Sequence, residues 1–186
     1  FVLRDDKHED LVLRSGKEIE HKLNNILLEH GYICLGWGVL GFRHITTRDR
    51  EIKIADDLKG LTIRIPNNPM WIPAFKAWGA SPVPIDFSEL YSALQQRVID
   101  AQENPPEIIY NSKLYEVQKY LNLTSHANIP CQFLVSTNFW NKLTDETKKL
   151  IEEAAIIARD YQVKLAREAN INLIAELEKE GMIVVS

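Results

Sequence analysis

Short apolar segments alternate with amphipathic segments between residues 61 and 106, and no other feature constrains the fold as strongly. Strands are predicted at Leu61–Ile65, at Ser81–Ile85 and from Val98, and helices from Pro69, at Phe87–Gln96 and from Pro105. Strands that alternate with helices in this way indicate a mostly parallel sheet with right-handed crossovers. The sequence therefore predicts an α/β fold.

Three polar or aromatic side chains fall where these predicted strands end. They are Arg64, Phe87 and Asn104. Open parallel sheets bind ligands beyond the carboxyl ends of their strands. A guanidinium offers a planar pair of donors that fits a carboxylate, and it stays charged at any working pH. A cation, a ring and an amide at neighbouring strand ends predict a site for a small organic anion.

Each of these residues also has an ordinary structural interpretation. Arg64 could form an internal ion pair with Glu103 or Asp100. Asn104 could cap the helix that begins at the following prolines. Phe87 could belong to the core. The sequence alone leaves these alternatives open.

Composition excludes several classes of function. The chain has 186 residues and a net charge of −4, without a basic stripe, so no nucleic-acid partner is expected. Its apolar runs are too short to span a bilayer. Cys34 and Cys131 lie far apart, so neither a metal site nor a cofactor is predicted, and a disulfide between them stays open. Beside Arg64, only Glu103 and Asp100 offer acid–base groups, and no histidine lies in the motif. We therefore do not expect this protein to be an enzyme.

Five ordered segments resemble one family, the DctP-type substrate-binding proteins of the tripartite ATP-independent periplasmic (TRAP) transporters. The similarity covers nearly the whole chain. The segments are Gly41–Arg43, Leu58–Asn67, Phe87–Gln95, Gln102–Pro105 and Tyr115–Leu121.

The resemblance implies a role for each matching residue. Arg64 would pair with the ligand carboxylate, and Asn104 would donate a hydrogen bond to the same group. Phe87 would pack against the carbon skeleton of the ligand, and Arg43 would be an assisting second arginine. Glu103, in the same motif as Asn104, completes the predicted ligand-binding set.

Two glycines of the family pattern are replaced in this chain, by Arg97 and Ala101. Arg97 at a helix end suits the helix dipole. Ala101 adds a methyl group close to the predicted site, where it would narrow the pocket or require a negative φ.

The resemblance also implies a periplasmic-binding-protein-like architecture of two lobes, incomplete here because the start of lobe 1 and the C-terminal end are missing. A single helix over residues 145–180 would span both lobes, unless it breaks near Asn170–Asn172. Self-association of so incomplete a chain is expected. The expected boundaries are 1–41 for partial lobe 1, 42–128 for lobe 2, 129–143 for the return to lobe 1, 144–181 for the long helix and 182–186 for the return to lobe 2.

The implied function is capture of a small organic acid outside the cytoplasm, in the periplasm, for delivery to the membrane permease subunits of a TRAP transporter. No signal peptide is visible in the chain. C4-dicarboxylates, sugar acids, keto acids and sialic acids all stay open as ligands. The alternative is a ligand-sensing or helical interaction module on the same scaffold.

Overall fold

A computed structural model describes residues 3–186. Within these residues the regular elements are α1 (Asp6–Leu13), α2 (Glu18–Glu29), β1 (Tyr32–Thr47), β2 (Thr62–Ile65), α3 (Trp71–Ala77), β3 (Ser81–Pro84), α4 (Phe87–Gln95), β4 (Ala101–Asn104), α5 (Pro106–Asn111), β5 (Tyr120–Ser136), α6 (Thr137–Trp140), α7 (Asp145–Lys179) and β6 (Ile183–Val185). Short 3-10 helices occupy Ala55–Leu58 and Leu114–Glu116.

The strands form a mixed sheet in the order β3-β2-β4-β1-β5-β6. β2 runs parallel to both β3 and β4, and β5 runs parallel to β6. β1 is antiparallel to β4, with Thr46 opposite Gln102 and His44 opposite Asn104. The predicted α/β class and the alternation of strands and helices are confirmed.

The chain divides into two compact units. Unit 1 comprises Phe1–Gly41 and Ala127–Glu168, and unit 2 comprises Phe42–His126 and Ala169–Ser186. β1, β5 and α7 each contribute one part to either unit. Every residue of the predicted site belongs to unit 2.

Unit 2 is built around one apolar cluster. Helix α4 contributes Leu90 and Leu94, spaced to share one face, and both are almost fully buried. The C-terminal part of the chain returns to complete the cluster with Leu177 and Met182. Its buried members are Leu90, Leu94, Ile99, Ile109, Leu114, Leu121, Leu177 and Met182.

Unit 1 is held by polar contacts to α7. The Gln162 carboxamide pairs with the backbone of Val39, donating to its carbonyl at 2.6 Å and accepting from its N–H at 3.0 Å. Arg167 Nη2 donates to Asp10 at 3.0 Å. Glu9 is fully buried beside Arg14 and Arg167, and burial raises the pKa of its carboxyl.

The apolar run Tyr32–Leu35 predicts only a short strand, whereas β1 extends from Tyr32 to Thr47 and contains glycines at 36, 38 and 41. Gly38 allows a close approach, because a Cβ there would lie 2.6 Å from Gln162 Oε1 and 2.9 Å from Cys131 Sγ. Glycine inside a strand marks such close packing as often as a turn.

The sequence favours Asn68, Asp86 and Thr144 as helix N-caps, and the first two predictions are wrong. Helix α3 begins at Trp71 rather than Pro69, and the Asn68 side chain accepts from the N–H of Met70 in a turn ahead of the helix. Asp86 precedes α4 without a side-chain capping bond. Thr144 does cap α7, since its Oγ1 accepts from the N–H of Thr147 at 3.2 Å.

Helix α7 is continuous over 35 residues, so the alternative of a break near Asn170 is wrong. Asn170 instead accepts a hydrogen bond from the backbone N–H of Glu107 at 3.5 Å. Among residues 3–186, every helix is too short or too polar to cross a membrane. Cys34 and Cys131 are free thiols, and burial raises the pKa of each.

The two glycine replacements differ in consequence. Ala101 begins β4 in an ordinary strand conformation and is fully buried, so it needs no special backbone geometry. Arg97 adopts a left-handed conformation with φ 61°, which a residue with a Cβ enters only at a cost.

Arg97→Gly should therefore raise the free energy of unfolding by about 1 kcal/mol, because glycine enters this conformation freely. Urea unfolding of the full-length protein measures the change. Arg97→Ala is the matched control: it also removes the charge but keeps the strained Cβ, so it should give no gain. Equal stabilisation by both variants would assign the effect to charge rather than to backbone strain.

Candidate ligand-binding site

Arg64 lies in the middle of β2 and is only 4% exposed. Its Nε donates to the carbonyl of Ile85 at 2.8 Å, which fixes the guanidinium against the end of β3. The guanidinium also lies over the ring of Phe87, with 5.9 Å from Cζ to the ring centroid. Burial lowers the pKa of Arg64, but the ordinary value is so high that the group stays cationic.

The terminal nitrogens of Arg64 have no hydrogen-bond acceptor among residues 3–186. Within residues 3–186, neither Nη1 nor Nη2 donates a hydrogen bond, and no carboxylate lies within 4.0 Å. The internal ion pair considered above is thus not formed: Glu103 pairs with Arg43, and Asp100 accepts from the N–H of Thr62 at 2.9 Å. A buried guanidinium with unused donors can bind a planar carboxylate with two parallel hydrogen bonds.

Arg43 and Glu103 form a buried ion pair across β1 and β4. Arg43 Nε donates to Glu103 Oε2, and Arg43 Nη2 donates to Oε1 at 2.8 Å. Glu103 is fully buried and Arg43 is 4% exposed. The Arg43 guanidinium also lies over the Trp71 ring, 5.4 Å from its centroid. The charge of Arg43 is therefore paired directly inside unit 2, whereas Arg64 interacts with Glu103 and Asp86 only beyond ion-pair distance.

Asn104 ends β4 beside this pair. Its Oδ1 accepts from Arg43 Nη2 at 2.9 Å, and its Nδ2 donates to Gln102 Oε1 at 2.6 Å. The residue that caps α5 is Pro105, without a side-chain bond, so the interpretation of Asn104 as a helix cap is wrong. The side chain is buried yet has a second Nδ2 hydrogen for which no acceptor is found in residues 3–186.

Phe87 is the first residue of α4 and is 48% exposed. One face of the ring meets Arg64, and much of the ring is open. Phe87 is therefore not a core residue. An exposed aromatic ring beside a buried cation is suited to cover the carbon skeleton of an anionic ligand.

Two histidines lie close to the site and were not selected from the sequence. His126 Nε2 is 3.2 Å from Glu103 Oε2, and its ring packs edge-on against Trp71. Burial, together with the neighbouring His126, lowers the pKa of His44 to about 4. His44 is accordingly neutral near pH 7, and its Nδ1 accepts from the N–H of Ser125 at 3.2 Å.

A separate cavity of about 500 Å³ opens where β1 ends and β5 begins. Arg48, Arg97 and Lys119 line it together with Glu116. The predicted ligand-binding residues are not among its lining, so the size of a cavity does not locate the site in this unit.

The structure brings the five predicted residues together in two groups within unit 2. One is Arg64 with Phe87, and the other is Arg43 with Glu103 and Asn104. A buried guanidinium without a direct ion pair, next to an exposed ring, is an arrangement suited to an anionic ligand. The chain belongs to the bacterial extracellular solute-binding protein family 7 (DctP), which matches residues 1–186.

Curated relatives match all or most of the chain. A 2,3-diketo-L-gulonate-binding periplasmic protein of Escherichia coli, YiaO, is 36% identical over 186 residues, which is 100% of this chain and 56% of that protein. The sialic acid-binding periplasmic protein SiaP of Vibrio cholerae is 37% identical over 139 residues, 75% of this chain and 43% of that protein. The chain thus spans only about half the length of these relatives.

Solved structures have the same fold. A TRAP periplasmic solute-binding protein from Polaromonas sp. JS666, bound to D-erythronate, aligns with a TM-score of 0.92 and 38% identity, covering 100% of this chain and 61% of that one. The sugar acid-binding protein DctPAm of Advenella mimigardefordensis, in complex with galactonate, aligns with a TM-score of 0.92 and 34% identity, covering 100% and 59%. These relatives are solute-binding proteins of transport systems.

Proposed function

We propose that this protein is an extracytoplasmic solute-binding protein that captures a sugar acid carrying one carboxylate and delivers it to the membrane subunits of a TRAP transporter. The observation that carries the proposal is the Arg64 guanidinium, which is buried, cationic and without a partner for its terminal nitrogens in the described residues. Its work is binding rather than catalysis.

The charges of the site residues favour a ligand with one carboxylate rather than two. Arg43 is paired directly with Glu103, whereas Arg64 has no carboxylate within 4.0 Å in the described residues and interacts with Glu103 and Asp86 only at longer range. A second ligand carboxylate would be desolvated in unit 2 without a free cation to pair with, which is costly. The relatives bound to D-erythronate and galactonate, both monocarboxylates, agree with this balance.

The alternative of a helical interaction module loses support. An Arg64 side chain exposed on an ordinary surface would have supported the helical interaction module. The side chain is instead 4% exposed and oriented by Ile85 and Phe87, an arrangement suited to a ligand. Relatives described as periplasmic also favour an extracytoplasmic location.

Isothermal titration calorimetry of the full-length protein tests the proposal with a panel of D-erythronate, galactonate, L-gulonate and D-glucuronate. At least one of these should bind with one-to-one stoichiometry. Galactose, which lacks the carboxylate, should show no binding at the same concentrations. Succinate should bind at least about tenfold more weakly than the best sugar acid, since one carboxylate stays unpaired.

Two outcomes would contradict the proposal. Galactose binding as tightly as galactonate would remove the carboxylate, and with it Arg64, from recognition. Succinate binding more tightly than every sugar acid would contradict the charge balance of Arg43 and Glu103.

A further inference from the structure

A line of buried side chains leads away from the site through the sheet of unit 2, and each donates a hydrogen bond to the next. It begins at Arg43, whose Nη2 donates to Asn104 Oδ1 at 2.9 Å. Asn104 Nδ2 then donates to Gln102 Oε1 at 2.6 Å. Gln102 is fully buried, and both amides lie on β4.

The line continues across β1. Gln102 Nε2 donates to Thr46 Oγ1 at 2.8 Å, and Thr46 Oγ1 donates to Gln118 Oε1 at 3.0 Å. Gln118 Nε2 ends the line on backbone carbonyls, at 3.1 Å from Val117 O and 3.4 Å from Asp100 O. Thr46 is fully buried and Gln118 is 3% exposed.

The chemistry of the two ends fixes the direction of every hydrogen bond in this relay. A guanidinium can only donate, so Asn104 must turn its oxygen toward Arg43 and its nitrogen toward Gln102. Backbone carbonyls can only accept, so Gln118 must turn its nitrogen toward them and its oxygen toward Thr46. Reversal of any one amide would set two acceptors or two donors against each other.

We propose that Gln102, Thr46 and Gln118 are positioning residues, which hold the Asn104 carboxamide with its nitrogen available to a ligand. One Nδ2 hydrogen goes to Gln102, and the other has no acceptor within residues 3–186. The ligand atom at Asn104 must then be an acceptor, a carboxylate, hydroxyl or carbonyl oxygen. This inference rests on the proposed function, since it assigns Asn104 to ligand binding.

A double-mutant cycle on the full-length protein tests the relay. Thr46→Val removes the hydroxyl but keeps the shape, and it should weaken binding by about three- to tenfold, the value of one neutral hydrogen bond. In the Asn104→Ala background the same change should have no further effect. Calorimetry with the sugar acid of the panel that binds the unmodified protein most tightly measures all four affinities.

Thr47→Val is the matched control. Thr47 is the next residue of β1, is equally buried and is bonded through its hydroxyl to Asn122 and Arg50, outside the relay. It should leave affinity unchanged. The relay is refuted if Thr46→Val weakens binding equally with and without Asn104, or no more than Thr47→Val does.

Gln118→Glu provides a second test if Thr46→Val does not fold. A carboxylate at this position would face the carbonyls of Asp100 and Val117, whereas a protonated carboxyl would donate to one of them as Gln118 does. Burial raises the pKa of such a group, so affinity should recover about three- to tenfold as pH falls from about 9 to about 6. The unmodified protein should show no such recovery, and identical pH profiles would overturn the relay.

The failures are distinguishable. If no sugar acid of the panel binds the unmodified protein, the proposed function itself fails. If one binds and the cycle gives additive losses, the function stands and Gln102, Thr46 and Gln118 are only structural.

Discussion

Arg64→Met should weaken sugar-acid binding by about 30-fold or more, because it removes the charged fork and leaves the ligand carboxylate buried without a partner. Arg64→Lys should weaken binding at least about tenfold, since an ammonium keeps the charge but loses the paired donor geometry. Arg64→Lys should leave the melting temperature of the protein nearly unchanged. Calorimetry gives the affinities, and a thermal melt without ligand gives the stability.

Arg48 provides the matched control for this pair of variants. It is a half-buried arginine of unit 2 that donates to the carbonyl of Leu94. It lines the separate cavity where β1 ends and β5 begins. Arg48→Met should leave affinity within about twofold of the unmodified protein. If Arg64→Met binds as tightly as Arg48→Met, Arg64 does not contact the ligand and the proposed site is wrong.

Glu103→Gln should lower the free energy of unfolding by about 3 kcal/mol or more, because it leaves the buried Arg43 without its counter-charge. The same change removes the carboxylate that pairs with Arg43 and also acts on Arg64, so the site becomes more positive. The affinity for succinate should therefore rise relative to that for the best sugar acid. Urea unfolding measures the stability, and calorimetry measures the ratio of the two affinities.

Glu89→Gln is the corresponding control, since Glu89 is an exposed carboxylate on the first turn of α4. It should change stability by no more than about 0.5 kcal/mol and leave the affinity ratio unchanged. A loss below about 1 kcal/mol for Glu103→Gln would mean that Arg43 does not depend on Glu103 for its burial.

Local patterns were sufficient to predict the part of unit 2 that carries Arg64. The period of two at Leu61–Ile65 and the helical spacing of Leu90 and Leu94 set the bounds of β2 and α4 within one or two residues. These elements fix where Arg64 and Phe87 lie, so their proximity follows from the order of the strands. Asn104 follows from the same strand-end pattern, and the family resemblance adds Arg43 and Glu103.

The interactions that orient the site were not predictable in the same way. Thr46 meets Gln102 because β1 is antiparallel to β4, and nothing in the local sequence sets that register across 56 residues. The short strand predicted at Tyr32–Leu35 does not include Arg43 and Thr46, which the structure places in the same strand, β1. Pairing of Arg43 rather than Arg64 with Glu103 is likewise a property of the assembled sheet.

The apolar cluster of unit 2 closes only with Leu177 and Met182, and β6 pairs with β5 through the final residues of this chain. The core that supports the strands around Arg64 is therefore discontinuous in sequence, since Leu177 follows Leu94 by 83 residues. Loss of this last segment would expose Leu90, Leu94 and Leu121. The support of the Arg64 site thus depends on a segment that contributes no residue to the site itself.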